Sequence, residues 1–159
     1  MSVDISQLKE FKRRLEEAKD CGASKCVEDC CRGLVSNLLK HTIKNTPVDT
    51  GYLRRGWTGG QDVGNNTSKI EEYVKTMPIQ KTSLRMTIKV SNPIEYAPYV
   101  EHGHVQQPGR YVPKLGKRLK ADWVEGRHML RDSESLIREG AEAFVERKVQ
   151  KYLKGVIKP

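Results

Sequence analysis

The stretch Thr46-Pro47-Val48-Asp49-Thr50-Gly51-Tyr52-Leu53-Arg54-Arg55-Gly56-Trp57 divides the chain into two kinds of pattern. Pro47 stops a helix, because its ring disfavours helical geometry in the residue before it. Asp49 or Thr50 can bond nearby backbone amides in the adjoining turn. Gly51 supplies the permissive dihedrals of such a turn. Tyr52 to Trp57 then reads as the entry of a strand, with Leu53 and Trp57 anchoring it in the core.

Upstream of the stretch, apolar residues keep a helical period. Val27, Cys31, Leu34, Leu38 and Thr42 step by 4, 3, 4 and 4, with Cys30, Val35 and Leu39 broadening the stripe. That pattern predicts a helix from Ser24 to Asn45. An earlier helix is predicted from Asp4 to Asp20, with Ile5, Leu8, Phe11, Leu15 and Ala18 on one face. Asp4 and Gln7 make a capping-box pattern at its start, and Gly22 is a natural stop.

Downstream the period shortens. A link rich in glycine and asparagine (Gly59, Gly60, Gly64, Asn65, Asn66) leads to a strand candidate at Ile70–Met77. Leu84 to Val90 alternates apolar and polar residues, as a half-buried strand does, and Asn92-Pro93 breaks it. Ile94, Tyr96, Tyr99 and Val100 are spaced for a short helical turn, and Gly103 to Gly116 reads as loop. The strongest helical pattern runs from about Asp132 to Gly155, with a start that can extend back toward Val124. Its stripe is Ile137, Ala141, Phe144, Val145, Val149, Tyr152, Leu153 and Val156, opposed by Glu139, Glu142, Arg147 and Lys151.

Helices at both ends and strands between them indicate an α+β fold. The expected architecture is a small antiparallel twisted sheet packed by two N-terminal helices and a long C-terminal helix. At 159 residues the chain fits a single domain. Its expected parts are helices over 1–22 and 24–45, sheet and short helix over 48–105, a basic loop over 106–121 and a helical part over 122–159. Two Trp and two Phe make the core lean, so burial against other subunits would add stability.

Composition narrows the function classes. There is no run of 18 apolar residues and no apolar signal region at the start, so neither a membrane span nor a secretory signal is expected. Reduced thiols are then the expectation for Cys21, Cys26, Cys30 and Cys31. Cys26 and Cys30 lie one helical turn apart with His41 further along, but no second cysteine pair completes a zinc set. Glu101 beside His102-Gly103-His104 lacks the partners of a catalytic set, and no metalloprotease, nucleophile-elbow or Walker motif is present. The expectation is no enzyme, no cofactor and no metal site.

The net charge of +9 is uneven, since residues 106–159 hold 13 basic and 7 acidic side chains. Within them Arg110, Lys114, Lys117, Arg118 and Lys120 form a strip with no acid. Such a strip suits acidic protein neighbours or the phosphates of DNA, and equally suits a solvated loop. No zinc finger, RNA-recognition or KH motif accompanies it, so sequence-specific reading is not indicated.

The quoted stretch and a second one, Asn92-Pro93-Ile94-Glu95-Tyr96-Ala97-Pro98-Tyr99-Val100-Glu101-His102-Gly103-His104, occur in an order that resembles the gene-product-ten-like tail components of tailed bacteriophages. Family members look like TPVDTGxLRxSW followed by YAxxVExG, and Gly56 stands where a serine is usual. Trp123 to Leu130 with a helix after it resembles the prophage branch, and the resemblance covers about residues 25–155. The first helix falls outside it, and so does Cys21 of the cysteine cluster.

The resemblance implies a structural virion protein of the phage neck. It would be a ring-forming head–tail connector or tail-completion subunit, with a hexamer as the expected ring, assembled in the bacterial host cytoplasm. Its partners would be copies of itself, neighbouring connector, terminator or tail-tube proteins, and DNA in passing. Structural roles are implied for Pro47, Asp49, Thr50, Gly51, Leu53, Arg54 and Trp57 at the corner after the helix. Tyr96, Tyr99, Val100, Glu101 and Gly103 would buttress the sheet or meet a neighbour. A tail-tube terminator or minor head protein is the sibling alternative, and a basic nucleic-acid-binding protein the alternative from another class.

Overall fold

The structure, a computed structural model, describes residues 22–82, 85–113 and 116–157, and before them positions 13 and 16. Of the helix expected from Asp4 to Asp20, only Arg13 and Glu16 are therefore described, both helical. Cys21, Leu84 and Lys114 lie outside the described residues. In chain order the elements are α1 (Ala23–Asn45), α2 (Tyr52–Gly56), α3 (Thr67–Thr76), β1 (Gln80–Lys81), β2 (Met86–Thr87), α4 (Ala97–His102), β3 (Gly103–Val105), β4 (Tyr111–Val112), β5 (Lys117–Arg118), β6 (Trp123–Glu125) and α5 (Met129–Ile157). The fold is α+β, and among the described residues the strands form three antiparallel pairs, β1–β2, β3–β6 and β4–β5.

Helix α1 ends as the sequence indicates. Thr46 turns extended (φ −74°, ψ 123°) immediately before Pro47, and Gly51 adopts a left-handed φ of +73°. The next residues depart from the expected strand. Tyr52 to Gly56 is helical, opened by a bond from the Arg55 amide to the Gly51 carbonyl at 3.0 Å. Leu53 and Trp57, four residues apart, are both buried, and with Gly56 they make one helical face. The same spacing that anchors a strand end serves a helix, and the left-handed glycine decides the direction.

The strand candidate Ile70–Met77 is likewise helix as far as Thr76, and Met77 is the extended residue after it. Asn66 caps α3 by accepting from the Lys69 amide at 3.2 Å, and Ile70 and Val74 are buried one turn apart. Among the described residues of the alternating stretch, 85–90, the strand is Met86–Thr87, paired with Gln80–Lys81. Gly22 is not a left-handed stop. It has right-handed dihedrals (φ −72°, ψ −36°), and its missing side chain leaves room for the Tyr152 ring.

The core joins all of these segments. Leu39 and Ile43 of α1, Leu53 of α2, Trp57, Val63, Ile70 and Val74 of α3, Ala97 of α4 and Met129 of α5 form one buried cluster. A fully buried Val, Leu, Ile or Met side chain contributes about 1.5–3 kcal/mol, so the core among the described residues is small. Helices α1 and α5 cross closely because Gly33 admits the Phe144 ring. Within the predicted stripe of α5, Ile137, Ala141, Phe144, Val145 and Tyr152 are half-buried, while Val149 and Leu153 are exposed.

The largest departure lies between residues 103 and 125, expected as loop followed by helix. Pairs β3–β6 and β4–β5 are continuous: the Gln106 amide bonds the Asp122 carbonyl and the Gly109 amide the Leu119 carbonyl, both at 2.8 Å. Leu119 returns a bond to the Arg110 carbonyl at 2.9 Å. The result is one two-stranded arm. Its first strand carries one residue more than its second between Val105↔Trp123 and Tyr111↔Arg118, a bulge near Gly109. Helix α5 then starts at Met129, within the expected range of starts from Val124 to Asp132.

Candidate functional site

The two sequence motifs meet in one junction. Thr46 is its buried hub: its hydroxyl donates to the Thr42 carbonyl at 2.6 Å and accepts from the Trp57 indole at 2.9 Å. Arg54 donates to the Thr46 carbonyl at 3.4 Å. Pro47, Asp49 and Thr50 are exposed, and the Thr50 hydroxyl accepts from the Tyr52 amide at 3.4 Å. The corner these residues shape therefore joins two helices, α1 and α2.

Asn92 ties the second motif to the first. Its side-chain amide donates to the Leu53 carbonyl at 2.9 Å, and its oxygen accepts from the Ile94 amide at 3.1 Å. A Cβ at Gly56 would strike the Asn92 oxygen and lie 2.7 Å from Ile94 Cγ1. Gly56, the one departure from the family pattern, thus sits where the motifs touch.

From there the chain enters α4. Tyr96 precedes the helix and Tyr99 stands on its exposed side, its ring edge-on to His104 at 5.9 Å between centroids. Glu101 faces inward and is buried. Its carboxylate accepts from the Leu130 amide at 3.0 Å and from the Arg131 amide at 3.0 Å. The first amides of a helix have no intrahelical acceptors and carry the positive end of its dipole. The residue before Met129 is His128, which is no capping residue and has a φ of +48°. Glu101 supplies the missing acceptor from another element. Beside it, Arg127 donates to the Val100 carbonyl at 2.7 Å and His128 to the Glu101 carbonyl at 3.1 Å, both through their amides.

Gly103 opens the arm with a φ of +84°. A Cβ there would lie 2.5 Å from the Val124 carbonyl oxygen and 2.9 Å from the Gly126 nitrogen. No side chain fits between these backbones. The sequence marks Glu101 and Gly103 as motif residues but carries no local sign that they receive the start of α5.

The basic residues behave differently. Arg110, Lys117, Arg118 and Lys120 lie along the arm, and Arg118 donates to the Gly109 carbonyl at 2.7 Å. The cysteines sit elsewhere, on α1. Burial pushes the Cys30 thiol up, helped by neighbouring Cys26, and burial raises Cys31 as well. Among the described residues, no group of three or more His, Cys, Asp or Glu is placed to hold a metal ion. A groove of about 780 Å³ between α1, α3 and α5 mixes Lys25, Asp29, Glu71 and Lys148 around Phe144.

The family model described as "Bacteriophage HK97-gp10, putative tail-component" matches residues 9–103. The chain belongs to this family. Comparison with curated proteins and with solved structures returns no match. The tail-component match takes in both motifs and the cysteine cluster and ends at Gly103, whereas the motifs by themselves suggest a span of about 25–155. In this tail component the matched segment is therefore the one that builds the junction. The arm and α5 follow it and are held by its last residues, Glu101 and Gly103.

Proposed function

We propose that this phage tail component is a structural subunit of the neck. It forms a closed ring, sixfold in the simplest case, that connects the portal side of the capsid to the tail or completes the tail before joining. Family membership over residues 9–103 carries the reading. The small core of the described residues and large apolar side chains left in solvent, Tyr99, Val105 and Trp123 among them, support it, because a ring subunit finishes its burial against neighbours. No helix among the described residues is long and apolar enough to cross a membrane. The protein assembles in the bacterial cytoplasm and ends in the virion, in contact with other connector or tail-tube proteins and, in passing, with non-specific DNA. Its role is structural rather than catalytic.

Electron cryomicroscopy of purified particles tests this. The expected result is a closed ring of this chain between portal and tail. Location on the last ring of the tail tube would make it a terminator instead. Absence of the chain from particles would overturn the reading.

A further inference from the structure

The arm is a two-stranded ribbon that keeps large apolar groups in water. Val105 is 77%, Tyr111 53% and Trp123 46% exposed. Val105 and Trp123 are direct cross-strand partners and so share a face. Two strands alone are marginally stable in water and gain from packing against another element. The charge is one-sided, since residues 106–121 hold five basic side chains and no acid.

Helix α5 carries the complement. Ile137, Ala141 and Phe144 turn toward α1, and on the opposite face Asp132, Glu139, Glu142 and Glu146 recur at helical spacing, all exposed. Asp132 is paired with Arg131 and Glu146 accepts from Gln150. Among the described residues Glu139 and Glu142 make no ion pair, and exposed Val149 and Leu153 continue this side toward the C-terminus.

We propose that the arm of one copy lies along this face of α5 in the next copy. Its lysines meet Glu139 and Glu142, and its apolar face meets Val149 and Leu153. The inference rests on the ring reading and names the contact that closes the ring. The reach is adequate: strands of about ten residues span roughly 30 Å, against roughly 21 Å along a helix from Glu139 to Leu153. Because arm and helix are different surfaces, the contact is head-to-tail, the type that generates rings when the rotation closes. A basic two-stranded ribbon also fits the major groove of DNA. The apolar pair Val105–Trp123 and an acidic counterpart on the same chain favour protein as the occupant.

A charge exchange in the full-length chain tests the contact. Lys117→Glu with Lys120→Glu reverses the arm, and Glu139→Lys with Glu142→Lys reverses the helix. Arg118 is left in place because it holds the bulge through Gly109. All four positions are exposed, so circular dichroism should report an unchanged fold. Self-association, read by sedimentation and by crosslinked mass in particles, should weaken more than about tenfold for each reversed pair and recover when the pairs are combined. As a second measurement, Lys120→Cys with Glu139→Cys should crosslink neighbouring copies under oxidation. Rings that tolerate either reversed pair, a combined variant without recovery, or an absent Cys crosslink would overturn the inference. So would an arm variant that keeps its ring but loses retention of duplex DNA, which would assign the arm to DNA. Failure of the unaltered chain to appear in particles would overturn the neck reading itself, a distinguishable result.

Discussion

The junction and the arm adjoin at Gly103 and are built in opposite ways. In the junction, polar groups are buried and bonded: Thr46 to Thr42 and Trp57, Asn92 to Leu53, Glu101 to the first turn of α5. Each of those bonds is specific because leaving its partner buried and unpaired is costly. Beyond its ladder the arm has exposed ties, Arg118 to Gly109 and the Trp123 indole to Glu125, and Val105, Tyr111 and Trp123 are exposed. The contrast separates two tasks. One region makes the subunit rigid, and the other is left for a surface outside the subunit to complete.

Substitutions can break this contrast in order of size. Gly103→Val adds both positive-φ strain and backbone overlap, and should cost about 3 kcal/mol or more in urea unfolding. A loss below about 1 kcal/mol would mean that β6 shifts away freely and the two regions are loosely joined. Glu101→Ala removes the acceptor for two amides of α5 and should cost about 2 kcal/mol. Glu101→Gln, which keeps an accepting oxygen, should recover part of that in the same measurement.

Smaller effects sharpen the comparison. Trp57→Phe keeps the ring in the core but removes the donor to Thr46, for an expected loss of about 1 kcal/mol by thermal or urea unfolding. Val105→Ser on the arm should stay within about 0.5 kcal/mol for the isolated subunit. A larger loss would show that the arm is packed within its own subunit. Last is a surface tie between α1 and β1. Hydrogen bonds from Lys81 and then Arg32 hold the Glu28 carboxyl below its ordinary range. A depressed carboxyl contributes stability above its unfolded value and loses it as pH falls through the folded one. Acid titration followed by NMR should therefore show Glu28 protonating late, and Lys81→Ala should move it back up.

The motifs and the helices were legible for different reasons. Helix α1 could be read almost to the residue, because a long amphipathic stripe and a proline stop act locally. Gly51 could be read as a turn and Leu53 and Trp57 as core. Whether they belonged to a strand or a helix was not readable, since four-residue spacing over one short segment fits both. Ile70 and Val74 are ambiguous in the same way, and the Asn66 cap is the local signal that marks a helix. The arm hid because its strands are two or three residues long and the residues between them are rich in Lys, Arg, Gly and Pro, a composition that loops share.

The sequence by itself determined the family, through two ordered motifs, and the α+β class, through periods that local sterics and amphipathicity impose. Tertiary structure alone decided what Glu101 and Gly103 do. A carboxylate caps a helix, and a glycine admits a neighbouring strand, only when a distant segment arrives there. Neither its arrival nor its direction is encoded in the few residues around the site.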